Sequence, residues 1–350
     1  MKSLIAAALM LGTMALPTTA QERLSVALDW TPNTNHVGLY VAQAKGWFEE
    51  AGLDVEILPY TDTSSGTLVA TGVAEFGILS SVGFYSQRAT GADLTVVMAV
   101  MQHETGRLVF NGEREDIQRP SDLDGMTYAG FGSAWEQALI STIIQNDGGK
   151  GEFETVTLGT SAYEALANGT VDFTLEVSTW EGVNSVLLNR PQRAFRYADY
   201  GVPDQHTTYL GANGTWLKEN AETARAFVQA AQRGYAFAAE NPAEAAEMLI
   251  AQTGGMLSNP ELVRASMKAI VDGGYLQDEG EPVGLIDTEM FGNITKFMFE
   301  AGVMRDADGK ETVQLSGVQS LTGRGKLPFF TQGGGNHALA HHGRSGRSDR

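Results

Sequence analysis

The sequence predicts an α/β protein of two lobes, and three observations carry that expectation. Strand-like and helix-like apolar spacings alternate from the start, the rhythm stops in a polar segment and resumes, and a second break precedes a long helical region. Leu24, Val26 and Leu28 alternate as a half-buried strand. Pro32 to His36 reads as a turn; Val37, Tyr40, Val41, Ala44 and Phe48 then fall at helical spacing, with Gly46 and Gly52 marking the exit. Leu53, Val55 and Ile57 form the next strand. The series continues as helix 64–73, strand 76–79, helix 81–89 and strand 94–100. Such alternation predicts a mostly parallel sheet covered by helices.

The rhythm breaks at GEREDIQRPSDLDG (112–125), which is polar and holds a Pro and two Gly. A second series follows: strand 126–130, helix 133–146, strand 153–159, helix 162–168, strand 171–176 and helix 179–188. After the break at ADYGVPDQH (198–206), residues 216 to about 304 read as mainly helical, in Ala-rich amphipathic runs. The chain is therefore expected to cross between lobes near 105–112 and again near 200–206. One lobe would comprise 21–105 and 206–330, the other 106–205. No internal repeat is visible.

The remaining bounds come from composition. The chain has 350 residues, 43% of them hydrophobic and 19% charged, enough for a substantial core. A formal net charge of −18 argues against a nucleic-acid partner, because phosphate binding needs basic patches. Lys2, the apolar run Leu4 to Leu16 and the small-residue end Pro17-Thr18-Thr19-Ala20 read as a cleaved secretory signal (1–20), too short to span a membrane. There is no cysteine, so an exported chain would rely on its core, and no lipid-anchor cysteine follows the signal. A free periplasmic protein, monomeric, is the expectation. Residues 331–350 are rich in Gly, His and Arg and read as a disordered tail.

Enzyme signatures are missing: there is no G-x-S-x-G, no H-E-x-x-H, no P-loop and no thiol. Asp306-Ala-Asp308-Gly309 begins like a calcium loop but lacks the later ligands and reads as a surface turn. No catalytic residue, metal or cofactor is expected. What recurs is a polar or aromatic cluster where a strand hands over to a helix. Trp30, Asn33 and His36 follow the first strand, Ser80 and Ser81 the third, Phe131 and Glu136 the first strand of the second series, and Trp180 and Glu181 the strand 171–176. In open α/β sheets ligands bind beyond the carboxyl ends of strands, where helix N-termini present free N–H groups. Each cluster also has a plainer reading. Trp30 suits a core, Asn33, Ser80 and Ser81 are ordinary caps, His36 can be a structural histidine, and Glu181 is favoured by a helix dipole.

The stretch LDWTPNTNHVGLYVAQAKGWFEEAGLDVEI (28–57) resembles the substrate-binding proteins of ABC importers that capture the pyrimidine precursor of thiamine, the ThiY type, and the related pyrimidine synthase of fungal thiamine biosynthesis. DIQRPSDLDGMTYAGFGSAWEQALI (116–140) and RYADYGVPDQHTTYLGANGTWL (196–217) extend the likeness, which covers about residues 22–300. The resemblance implies a type II periplasmic binding fold, two α/β lobes joined by a two-crossing hinge around a ligand cleft. It implies a small heterocyclic ligand, and permease and ATPase subunits as partners. Trp30 matches the aromatic that stacks on the pyrimidine, Asn33 and His36 polar positions of the same loop, Glu136 an acidic residue of the second lobe, and Glu181 a glutamate facing amino groups. Two departures are visible: Thr179-Trp180 replaces a polar pair before that glutamate, and Ser80 and Ser81 replace larger polar residues. The synthase's cofactor-binding lysine and its consumed histidine fall on Leu79 and Gly83, and neither residue can do that chemistry. The expected role is capture of an aminopyrimidine, with another solute, such as a flavin-related heterocycle or a sulfonate, as the alternative, and the synthase as a remote one.

Overall fold

In the computed structural model two five-stranded sheets lie side by side, each carrying its helices, and residues 21–311 are described. The expected signal segment and tail lie outside the described residues. Ten strands are present among them: β1 (Glu22–Ala27), β2 (Leu53–Leu58), β3 (Phe76–Ser80), β4 (Leu94–Ala99), β5 (Gly106–Asn111), β6 (Thr127–Gly130), β7 (Glu154–Thr157), β8 (Phe173–Val177), β9 (Gln192–Arg196) and β10 (Thr208–Asn213). The first sheet runs β2-β1-β3-β10-β4 and the second β7-β6-β8-β5-β9.

The strand order corrects the mostly parallel expectation. In each sheet the first three strands are parallel, while the fourth runs antiparallel to both neighbours. That fourth strand is the one delivered from the other lobe: the chain leaves the first sheet after Ala99, enters the second as β5, and returns as β10. The expected crossing at 105–112 is therefore mostly strand. β5 escaped the sequence reading because no helix follows it, and β10 because it pairs with strands over a hundred residues away. The two sheets share one layout although the sequence shows no repeat.

Packing follows the apolar spacing. The helix Val37–Ala44 lies against Ala221–Glu240 so closely that a Cβ on Gly234 would sit 2.0 Å from the Gly38 carbonyl oxygen, so only glycine fits. Val26, Phe76, Val97, Phe227 and Tyr235 belong to one buried cluster of the first lobe. Leu108, Phe110, Tyr128, Ile140 and Phe173 form the core of the second. Asp306 behaves as the surface turn expected, its Oδ1 accepting from the Asp308 and Lys310 N–H groups.

The two crossings are tied to each other. His103 Nδ1 lies 2.6 Å from Asp204 and its Nε2 2.7 Å from Asp278. The Thr105 N–H donates to Thr207 Oγ1, whose hydroxyl in turn donates to the His103 carbonyl. Gln205 bridges the pair, donating to Glu104 and accepting from Ser81. Hinge and cleft thus share residues.

Candidate ligand-binding site

Every expected site cluster sits at the carboxyl end of a strand, but the structure treats them differently. The turn after β1 is self-sufficient. Asn33 caps the short 3-10 turn Thr34–His36 by accepting from the Asn35 N–H and donating to the Thr31 carbonyl. His36 is 0% exposed: its Nδ1 accepts from the Asn33 N–H, so Nε2 carries the proton and donates to Asp29 Oδ1 at 2.8 Å. Neither Asn33 nor His36 lines either of the two cavities described below. Trp30, just before them, is half-buried and reaches outward to Tyr60 (ring centroids 5.1 Å apart) and across to Phe131 of the second lobe (6.4 Å).

A cavity of about 220 Å³ opens between the lobes, and Ser80, Ser81, Phe131 and Glu136 line it together. Ser80 caps the helix Ser81–Ala89 by accepting from the Gly83 N–H, and the buried Ser81 hydroxyl donates to Gln205. Glu136 closes the loop after β6. Its two oxygens accept from the Phe131 and Ser133 N–H groups, while Ser133 Oγ accepts from the Glu136 N–H, a reciprocal cap. Trp135, another lining residue, crosses to Phe297 of the first lobe at 6.0 Å. Aromatic contacts therefore bridge the lobes at two places.

Trp180 and Glu181 point elsewhere. The expected helix 179–188 begins as a π-helical turn, Ser178–Gly182, and becomes α-helical only at Val183–Leu187. That turn packs Trp180 against the core of the first lobe. Glu181 instead lines a second cavity, of about 240 Å³, with Asn184, Arg190 and Tyr163. Tyr163 lines both cavities. Burial holds the Glu181 carboxyl up at about 7, opposed by the Val177 N–H it accepts.

The residues that sequence reasoning missed are the most telling. Glu176, at the end of β8, is 3% exposed; Arg107 on β5 donates to its Oε1, and its Oε2 has no partner among the described residues. Tyr128 on β6 is 1% exposed, its hydroxyl set beside the Glu136 carboxylate, and burial and that carboxylate push the phenol up. Glu104 lines the cavity from the hinge. Burial pushes the Glu104 and Glu176 carboxyls up, in the second case against the pull of Arg107. Burial and the neighbouring carboxylates push the Tyr163 phenol up as well. The signal for Glu176 was in the sequence: Thr174 and Glu176 put two polar residues on one face of VDFTLEV (171–177), otherwise an apolar strand. The cavity is thus lined by three carboxylates, phenols and indole, with no Lys or Arg in its wall.

The NMT1/THI5-like sequence profile matches residues 33–245. The chain belongs to the NMT1/THI5-like family. It is 30% identical over 238 residues to the formylaminopyrimidine-binding protein of Halalkalibacterium halodurans, covering 66% of this chain and 71% of that one. It is 25% identical over 239 residues to a 4-amino-5-hydroxymethyl-2-methylpyrimidine phosphate synthase of Saccharomyces cerevisiae, covering 64% and 69%. Among solved structures, the alkanesulfonate-binding protein SsuA of Xanthomonas axonopodis pv. citri superposes with a TM-score of 0.64 at 13% identity, over 86% of this chain and 99% of that one. The Escherichia coli SsuA gives 0.62 at 16%, over 91% and 98%. At those identities the structures establish the fold, that of the periplasmic binding proteins. Leu79 is buried in the core of the first lobe, and Gly83 lies in the first turn of its helix, its N–H spent on Ser80.

Proposed function

We propose that the protein is a periplasmic solute-binding protein that captures an aminopyrimidine precursor of thiamine in the interlobe cavity and delivers it to an ABC importer. The observation that carries this reading is the cavity wall: acidic and aromatic side chains with no Lys or Arg favour a flat, neutral or cationic ligand over an anion. Trp30, Tyr60 and Phe131 supply the aromatic platform at the rim, and Ser80, Ser81, Glu136 and Glu176 the polar surroundings. Asn33 and His36 satisfy each other and Asp29 within the turn that follows Trp30. Trp180 packs the second lobe against the first. A sulfonate would meet like charge, which disfavours it against a neutral or cationic nitrogen heterocycle.

Magnitudes suffice. A stacked aromatic contributes about 0.5–1.5 kcal/mol beyond burial, and a hydrogen bond to a charged carboxylate about 1.5–3 kcal/mol. With burial of the ring, a micromolar affinity of about −8 kcal/mol is within reach after the costs of association. A ligand touching both lobes favours their closed arrangement, and a permease can recognise that state. The chain acts as a carrier: Leu79 and Gly83 offer neither the imine-forming amine nor the ring the synthase chemistry needs.

The test is a thermal-shift screen of the purified protein against aminopyrimidines, flavins, alkylsulfonates and thiamine, since a ligand of the native state raises its melting temperature. The expected outcome is a shift with aminopyrimidines that exceeds all others. A dominant shift with sulfonates, or turnover of the pyrimidine, would overturn the reading.

A further inference from the structure

The segment 273–287, between the helices Pro260–Asp272 and Thr288–Glu300 of the first lobe, lies against the hinge. It is fastened there at four points. The Ala99 N–H donates to the Gly284 carbonyl and the Gln102 N–H to the Tyr275 carbonyl. The other two fastenings are imidazoles, and they make opposite demands on the proton. His103 has a carboxylate oxygen at each nitrogen: Asp204 of the second crossing 2.6 Å from Nδ1, and Asp278 of the segment 2.7 Å from Nε2. An ionised carboxylate only accepts, so both bonds exist only when the ring carries two protons and a charge. His206 is placed the other way. Its Nδ1 lies 3.0 Å from the Gln102 carbonyl and its Nε2 accepts the Asp287 N–H at 2.9 Å, so this ring must be neutral.

The surroundings support both demands. Burial pulls the His103 imidazole down, but the bonds and charges of Asp204 and Asp278 outweigh it and hold the group above its ordinary 6.5. Burial pulls the His206 imidazole below 6.5, against the Gln102 carbonyl and the Asp287 charge and with the help of His103. A third carboxyl at the crossings, Glu104, is pushed up by burial, and the Tyr209 ring stands 5.8 Å from that of His206. The clasp also reaches the cleft. Asp204 Oδ1 accepts from the Glu104 and Gln205 N–H groups, and both of those residues line the interlobe cavity.

We propose that the segment 273–287 is a strap whose hold on the hinge depends on pH, with a charged His103 and a neutral His206 as its two proton-sensitive fastenings. The strap is whole between the two titrations. Above them His103 keeps one N–H for two carboxylates. Below them a protonated His206 turns a second donor on the Asp287 N–H. In either case the crossings loosen and the lobes separate more readily, since lobe motion is taken up in the few residues that connect them. The proposal rests on the lobe closure of the reading above, but not on which ligand the cleft takes.

The experiment follows the imidazole nitrogen resonances of the ligand-free full chain by NMR from about pH 5 to about pH 9, with small-angle X-ray scattering of the same samples. The His103 midpoint should lie above 6.5 and that of His206 below it. The radius of gyration should be smallest between the two and grow on either side. Asp278→Asn should bring the His103 midpoint down towards 6.5 and carry the alkaline growth with it, leaving the acid limb in place. His206→Gln, which offers a donor and an acceptor at any pH, should abolish the acid growth alone. A merely structural role would change the radius at every pH and move neither limb. A His103 midpoint at or below 6.5, a His206 midpoint at or above it, or a radius that ignores both titrations overturns the strap. These wild-type arms decide even if a variant folds poorly. If the radius ignores pH yet shrinks on adding 4-amino-5-hydroxymethyl-2-methylpyrimidine, the aminopyrimidine reading stands without the strap. If neither pH nor any ligand of the thermal-shift screen changes it, the strap and the lobe closure fall together.

Discussion

The end of β1 and the end of β8 look alike in the sequence, each a polar cluster where a buried strand gives way to a helix, yet they are opposites in the fold. After β1, Asp29, Asn33 and His36 satisfy one another inside the turn. At β8, Glu176 and Thr179 bury polar atoms that nothing in the described residues satisfies. A crowd of polar residues therefore marks a self-supporting turn as readily as a binding wall. What distinguishes them is whether the hydrogen bonds close internally.

The comparison can be broken from either side. The largest effect is expected from His36→Ala, which leaves the Asn33 N–H and an Asp29 oxygen without partners in a buried site and should cost about 2–4 kcal/mol of stability. Urea denaturation measures it, and ligand affinity of the folded fraction should hardly change. A strong loss of affinity at unchanged stability would make His36 a ligand contact after all. Next comes Trp30→Ala, expected to lower affinity at least tenfold by calorimetry. Trp30 is half-buried at the rim, so the melting temperature of the ligand-free protein should stay nearly the same. A large fall in stability with intact binding would place Trp30 in the core.

A smaller effect concerns pH. The Glu181 carboxyl sits at about 7, above its ordinary 4.5, so the native state keeps a proton that the unfolded chain has released. Stability should therefore decline as pH rises from about 4.5 to about 7, and Glu181→Gln should remove that part of the slope in a series of thermal melts. If the slope survives the substitution, the burial of Glu181 is not what sets it.

Much of the architecture was legible. The helix starts at Ser80 and Ser133 carry the expected caps, and β1, β2, β3, β6 and β8 lie where alternating or continuous apolar runs put them. The antiparallel strands β5, β9 and β10 were not legible, because their pairing is with distant chain and leaves no local rhythm. The lining of the interlobe cavity was legible by halves. Ser80, Ser81, Phe131 and Glu136 were found from their place after strands, while Glu176, Tyr128 and Glu104 were passed over as parts of a strand or a crossing.

Sequence alone determined the α/β order, the strand ends and the helix caps, since each depends on spacing within a few residues. The tertiary structure decided which polar groups are spent and which are free. Whether a carboxylate has a partner depends on groups far away in the chain: Glu176 is held by Arg107, 69 residues earlier, whereas His36 finds Asp29 only 7 residues back. Hydrogen-bond satisfaction is a property of the folded neighbourhood, and that is why the turn rich in polar residues closes on itself while the apolar strand with one glutamate buries an oxygen unpaired among the described residues.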